Sequence, residues 1–217
     1  MNTKKISTNN LDSLEDNKII NLVDSHPIEE YKDNIRNPGI DFRLDEISSI
    51  SINKSAVERR CSNYGTRRSI KKDKQAAWLL KAISLMDLTT LSGDDTEARV
   101  KRLCRKAKQP ISSNLEKQLG VQSLNLSVAA VCVYHDMLSA AKNIIKHTNI
   151  HLAAVSTGFP AGLSPLPLRL QEIQYSVDSG ANEIDIVISR RHVLDGNWEA
   201  LYEEVKLFRE KCGDAHM

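Results

Sequence analysis

The sequence predicts an α/β fold built as a partial (β/α)8 TIM barrel, about the first four βα units, preceded by an N-terminal helical segment. Three observations predict it. Helical and extended patterns alternate four times between about Ile83 and Cys212. The extended segments include continuous apolar runs such as LSVAAVCVY (126–134), the pattern of strands buried on both faces of a parallel sheet. Polar residues stand at the strand C-termini, where barrel enzymes place their chemistry, and no G-x-G-x-x-G follows the first strand, which weighs against a dinucleotide-binding sheet.

Residues 1–43 are rich in Asn, Asp, Ser and Lys, carry Pro27 and Pro38, and have few apolar positions beyond Ile19, Ile20, Leu22 and Val23. A disordered extension is expected there, with room for one short helix around Lys18–Asp24. Residues 44–82 form the N-terminal helical segment. Up to Ile70 it is polar, and its basic pairs Arg59-Arg60, Arg67-Arg68 and Lys71-Lys72 read as a solvated face more readily than as a nuclear address or RNA contact. The barrel portion is expected over 83–217. The helix KQAAWLLKA leads into a strand ISLMDL, and Ser92-Gly93-Asp94-Asp95 supplies a turn and a helix cap.

The next helix, TEARVKRLCRKAK, aligns Val100, Leu103, Cys104 and Ala107 on one face and stops just before Pro110. After the second strand, DMLSAAKNIIKH aligns Met137, Ala140, Ala141, Ile144 and Ile145. The third strand, HLAAVST, runs through the loop GFPAG to a helix carrying Leu170, Ile173 and Val177, closed by Gly180. The fourth strand is EIDIVIS. The helix after it starts near Asn197, presents Trp198, Leu201, Tyr202, Val205 and Phe208 on one face, and ends before Gly213.

Composition narrows the function classes. At 41% hydrophobic and 27% charged residues with a net charge of +2, the chain is an ordinary globular one whose overall field argues for neither nucleic acid nor membrane. A small metabolite such as a sugar phosphate is the partner class left open. Cys61, Cys104, Cys132 and Cys212 are scattered, with no C-x-x-C pair and no histidine at ligand spacing, so no zinc site, disulfide framework or cofactor is expected. The N-terminus lacks the apolar core of a signal peptide, and no run approaches the ~18 apolar residues of a membrane span. A cytoplasmic location with reduced thiols is the default expectation.

Two aspartates stand out. Asp87 follows Ile83-Ser84-Leu85-Met86, and Asp185 precedes Ile186-Val187-Ile188. An ionised carboxylate buried in such runs is costly unless it is partnered or used. Asp87 has a competing role as a loop cap, because Asp-Leu-Thr-Thr is turn-like, whereas Asp185 has no local capping task. Asp87 with Thr89, Cys132, Thr157 and Asp185 end successive strands, and they share one mouth only if the strands curve into a barrel wall. Cys132 reads more readily as a small core residue than as a nucleophile. His135, His147, His151 and His192 fall in or near loops and helix ends and read as solvated. TGFPAG reads as a tight βα turn rather than a phosphate cradle, since it lacks the P-loop lysine and its proline removes a donor. Beyond Ile70 the lysines fall on polar helix faces or helix ends, none inside a strand.

Taken together, QAAWLLKAISLMDLTTLSGDDT, AAVCVY, VSTGFPAG and NEIDIVISRRHVLDGNWEALYEEV closely resemble deoxyribose-phosphate aldolase of the animal type, over about Leu44 to Met217. The resemblance implies a class I aldolase on a (β/α)8 barrel that needs no metal and reversibly cleaves 2-deoxyribose 5-phosphate to glyceraldehyde 3-phosphate and acetaldehyde. It implies Asp185 as the proton-relaying catalytic aspartate, and Asp87, Thr89, Leu91 and Cys132 as substrate-side residues. His135 stands where the family usually has proline, and Arg190-Arg191-His192 is a more basic version of its loop.

The family's imine-forming lysine lies in Phe-Ile-Lys-Thr-Ser-Thr-Gly and its second lysine in Gly-Phe-Lys-Pro-Ala-Gly-Gly, and neither motif occurs here. The expectation is therefore a truncated, inactive chain ending at KCGDAHM just before a fifth strand, prone to aggregate or to pair as a homo-oligomer through its open edges. Two other expectations compete. One is a non-catalytic half-barrel interaction module. The other is an open-sheet protein of different function, with the two aspartates far apart.

Overall fold

The computed structural model describes Ile19, residues 41–67 and residues 69–217. Of the short helix expected near Lys18–Asp24, only Ile19 lies within the described residues. It packs on a small cluster of Leu80, Val121 and Leu126. Most of the segment expected to be disordered lies outside the described residues, but its end is held: the Phe42 ring packs 5.4 Å from that of Tyr202.

Helices α1 (Leu44–Ser49) and α2 (Lys54–Ser62) bury no residue, in keeping with their polar sequence. The Asn53 side chain caps α2 by accepting from the Ala56 N–H at 3.0 Å. Helix α3 (Lys72–Ile83) buries Ala77 and Leu80 and leaves Trp78 and Leu79 exposed.

Four strands follow: β1 (Asp87–Thr89), β2 (Ala130–Val133), β3 (His151–Val155) and β4 (Glu183–Asp185). All pair in parallel in the order β1-β2-β3-β4. Helices α4 (Glu97–Lys108), α5 (Ser113–Leu119), α6 (Leu138–Ile145), α7 (Leu166–Asp178), α8 (Arg190–Leu194) and α9 (Trp198–Cys212) occupy the connections. Right-handed crossovers in sequential order place every covering helix on one face, whereas a doubly wound sheet reverses order and takes helices on both.

The core is the layer between sheet and helices. Val131, Val133, Leu152, Ala154 and Ile184 meet Val100 and Cys104 of α4, Leu138 and Ala141 of α6, Ile173 of α7 and Phe208 of α9. Each large side chain fully buried here contributes about 1.5–3 kcal/mol. The opposite face carries a thin apolar patch of Ala130, Cys132, Ala153 and Val155, packed by Leu91, Tyr134 and Phe159.

The strands are shorter than the apolar runs, for local reasons. Helix α3 continues through Ile83, and two tight turns, Leu85 N–H to Ala82 and Met86 N–H to Ile83, use up the first residues of ISLMDL. Strand β3 ends where Thr157 takes φ +59°, a left-handed conformation that turns the chain out of the sheet. Its buried hydroxyl then replaces a ladder rung, accepting from the Val187 N–H at 2.5 Å and donating to the Val187 carbonyl at 3.0 Å. Helix α5 falls in a stretch to which the sequence reading assigned no element, although Ser112 caps it and Gly120 at φ +66° closes it.

At the far edge His216 forms a parallel bridge with Glu183. The Ile184 N–H donates to the His216 carbonyl at 2.7 Å, and the His216 N–H to the Asn182 carbonyl at 2.8 Å. This is a single parallel bridge beyond β4, not a further strand.

A buried ion pair joins α7 to α9. Arg169 pairs with Glu204, the Ser189 N–H and hydroxyl donate to Glu204 at 2.9 and 2.7 Å, and the guanidinium lies 5.2 Å from the Phe208 ring centroid. Both residues sit on the apolar stripes of their helices. Arg169 occupies the stripe Leu166, Leu170, Ile173, and Glu204 the stripe Leu201, Val205, Phe208.

Candidate active site

Side chains alternate across a strand, so the register fixes who shares the helix-free face. Asp87, Ala130 and His151 form one row, Thr89, Cys132, Ala153 and Glu183 the next, and Val155 with Asp185 the one after. Leu91, two residues beyond β1, packs against the same patch. All five residues singled out from sequence, Asp87, Thr89, Leu91, Cys132 and Asp185, therefore stand on one face.

The contacts follow from this placement. The buried Cys132 thiol donates to Asp185 Oδ2 at 3.4 Å, across a strand whose intervening side chains begin with the methyl of Ala153. The charge of Asp185 acts on the Asp87 carboxyl from three strands away. Both are exposed, which corrects the expectation of burial: Leu88, Ile184 and Ile186 beside them pack into the helix-side core, and the aspartates do not.

Asp87 does not cap the following loop. That turn is held by Asp95, which accepts from the Thr90 hydroxyl at 2.9 Å and the Ser92 N–H at 3.0 Å. The Asp87 carboxyl is raised above the ordinary value, first by its partial desolvation and then by the negative charges of Glu183 and Asp185, with His151 acting in the opposite sense. Burial, reinforced by Asp185, pushes the Cys132 thiol up to about 12. At neutral pH it is a protonated donor, not a nucleophile.

Two members of this face were missed. Glu183 lies two residues before Asp185, and His151 two before Ala153, so strand alternation alone would have found both. His151, expected to be solvated, opens β3 and places Nδ1 2.5 Å from Glu183 Oε1. His216 Nδ1 lies 3.9 Å from the same oxygen.

The TGFPAG loop uses its own donors. The Gly158 N–H goes to Glu172 at 2.7 Å and the Gly162 N–H to the Gly158 carbonyl at 2.8 Å, as a tight turn requires. No lysine lies on the four strands, and among the described residues no group of three or more His, Cys, Asp or Glu is placed to hold a metal ion. The face thus offers three carboxylates and a neutral thiol, groups that accept, hold and pass protons.

The model of the DeoC/LacD family of aldolases matches residues 81–217. The human deoxyribose-phosphate aldolase is 49% identical over 183 residues, covering 83% of this chain and 58% of the relative. The mouse protein is 50% identical over 181 residues, covering 82% and 57%. A solved structure of a candidate deoxyribose-phosphate aldolase from Coccidioides immitis superimposes with a TM-score of 0.53 at 20% identity, over 76% of this chain and 60% of that one, a likeness of fold. The chain spans little more than half the length of the mammalian relatives.

Proposed function

The chain belongs to the DeoC/LacD aldolase family, and on that premise we propose that its helix-free face is the proton-relay and substrate side of a deoxyribose-phosphate aldolase site. The sheet is then the first part of a (β/α)8 wall. The reaction is the reversible cleavage of 2-deoxyribose 5-phosphate to glyceraldehyde 3-phosphate and acetaldehyde, a step of deoxyribonucleotide catabolism in the cytoplasm. The observation that carries this reading is the shared register face of Asp87, Thr89, Leu91, Cys132 and Asp185.

In such a reaction a lysine amine condenses with the substrate aldehyde, the C3 hydroxyl loses its proton, and the C2–C3 bond electrons flow into the iminium. Asp185 relays that proton through water and returns one to C2 of the enamine. Cys132, as a neutral donor to Asp185, holds the carboxylate in place. Thr89 offers a hydroxyl to the sugar, and Leu91 with Tyr134 and Phe159 forms an apolar wall. Asp87 accepts from a substrate hydroxyl, its carboxyl raised above the ordinary value first by partial desolvation and then by the charges of Glu183 and Asp185.

The 217-residue chain alone forms no imine on this reading, because among the described residues no lysine lies on the four strands. Borohydride trapping with substrate and mass spectrometry tests it. The expected result is no adduct on this chain and a one-to-one adduct on a chain extended through the two lysine motifs, in which Asp185→Asn lowers kcat by about 10²–10⁴. A stoichiometric adduct on the 217-residue chain, or none on the extended one, overturns the reading.

A non-catalytic interaction module is the second reading. It is favoured by the exposed Trp78, Leu79, Leu85 and Met86 of α3 and the turn leading into β1, an apolar group of the kind that marks contact surfaces.

A further inference from the structure

The helix-free face carries more charge than the proposed chemistry uses. From β1 comes Asp87, from β2 only the neutral Cys132 thiol, from β3 His151, from β4 Glu183 and Asp185, and from the segment bridged to β4, His216. Three carboxylates and two imidazoles thus meet where the family reading needs two acids with distinct tasks.

We propose that His151 is a positioning residue for this site: by holding Glu183 at the N-terminal end of the sheet, it keeps a third acid away from Asp185 and sets the balance of charge around Asp87. The proposal rests on reading this face as an aldolase site.

The geometry is specific. The register puts His151 in the row of Asp87, one row below Glu183, and Glu183 reaches back to meet Nδ1 at 2.5 Å. Side chains two residues apart on a strand point the same way about 6.6 Å apart, so Glu183 is otherwise free to turn toward Asp185. His216 approaches the same carboxylate oxygen from the other edge at 3.9 Å, so Glu183 is held from two sides. The Asp87 carboxyl, raised first by partial desolvation, also feels this balance, being raised by Glu183 and Asp185 and lowered by His151. A purely structural task fits His151 poorly: its side chain is 54% exposed and belongs to none of the apolar clusters.

The test needs no turnover. The carboxyl carbons of Asp87 and Asp185 are titrated by NMR in the 217-residue chain, in His151→Gln, in Glu183→Gln and in the double variant. Glutamine at 151 keeps a hydrogen-bond donor to Glu183 and removes the ionisable ring. His151→Gln is expected to move the Asp87 midpoint up and Glu183→Gln to move it down. The double variant is expected to depart from the algebraic sum of the two opposite single shifts, because both act through one contact. The melting temperature of His151→Gln stays near that of the parent, which a structural role would not allow. An Asp87 midpoint unmoved in both single variants, or shifts that simply add, overturns the proposal. If His151→Gln fails to fold, an unmoved midpoint in Glu183→Gln does so alone. Borohydride trapping judges the aldolase reading separately, so failure of one is distinguishable from failure of the other.

Discussion

Replacing Glu204 with alanine is expected to be the most damaging single truncation outside the apolar core. The substitution removes the counter-charge of Arg169, whose side chain is only 6% exposed, and both acceptors of Ser189. Breaking one side of a buried ion pair costs about 3–5 kcal/mol, and a buried N–H left without an acceptor costs about 1–3 kcal/mol. The two overlap, so the expected loss is about 4–5 kcal/mol, or a fall in Tm on the order of 10–15 °C for a chain of this size. The double variant Arg169→Met/Glu204→Leu recovers most of it, since an apolar pair leaves no lone charge, and retains about 1–3 kcal/mol for the Ser189 N–H.

Urea unfolding followed by circular dichroism reads both numbers. A loss below about 1 kcal/mol in Glu204→Ala, or a double variant as unstable as the single one, refutes the reasoning. A pH series adds the sign. Burial alone pushes the Glu204 carboxyl up, but the Ser189 donors and the Arg169 charge outweigh it and hold the group below its ordinary 4.5. With the folded value below the unfolded one, the carboxylate's contribution is complete above about pH 4.5 and fades as pH falls through the folded value. The gap between the parent and Glu204→Gln therefore narrows on acidification.

Three further outcomes follow from the same geometry. Alkylation of the folded chain at neutral pH labels Cys61, the exposed thiol, while Cys104 and Cys132, pushed by burial to about 11 and about 12, and the buried Cys212 react only after unfolding; peptide mass mapping reads this, and early labelling of Cys132 contradicts the site's electrostatics. Asp87→Asn raises Tm at neutral pH, because a carboxyl whose folded pKa lies above the unfolded one penalises the fold while ionised. That gain disappears below pH 3.8, and a loss of Tm at neutral pH would contradict it. Gly162→Ala lowers stability by about 1–2 kcal/mol from its left-handed backbone alone, and its new methyl would stand 2.9 Å from Val187 in the segment leaving β4; an unchanged urea midpoint is inconsistent with that packing.

The alternation of four strands with their covering helices was legible because its signals are local: helix stripes and apolar runs. Strand ends were not, because they depend on partners. EIDIVIS has the apolarity for seven strand residues, but β4 stops at Asp185 once Thr157 leaves the sheet and offers a hydroxyl in place of backbone. The Arg169–Glu204 pair was legible in principle. Each is a charge on an apolar stripe, and the two signs are opposite, but nothing local says that α7 and α9 are neighbours. His151 opens its strand and is exposed, as expected; what the sequence does not show is that its row is that of Asp87 and that it meets Glu183.

What the helix-free face can do is decided by which groups it lacks as much as by which it holds. Cleaving a carbon–carbon bond through an imine needs an amine with a free lone pair, and a thiol held at about 12 is no substitute. Asp87, Glu183 and Asp185 would themselves hold a nearby ammonium in its charged form, so an amine placed between them is a poor nucleophile unless a second cation or desolvation opposes their field. On the proposed reading, the pair of lysines that the resemblance implies would meet that requirement, one as nucleophile and one as opposing charge. The His216 bridge extends the parallel ladder on the β4 side, the strand that carries Asp185.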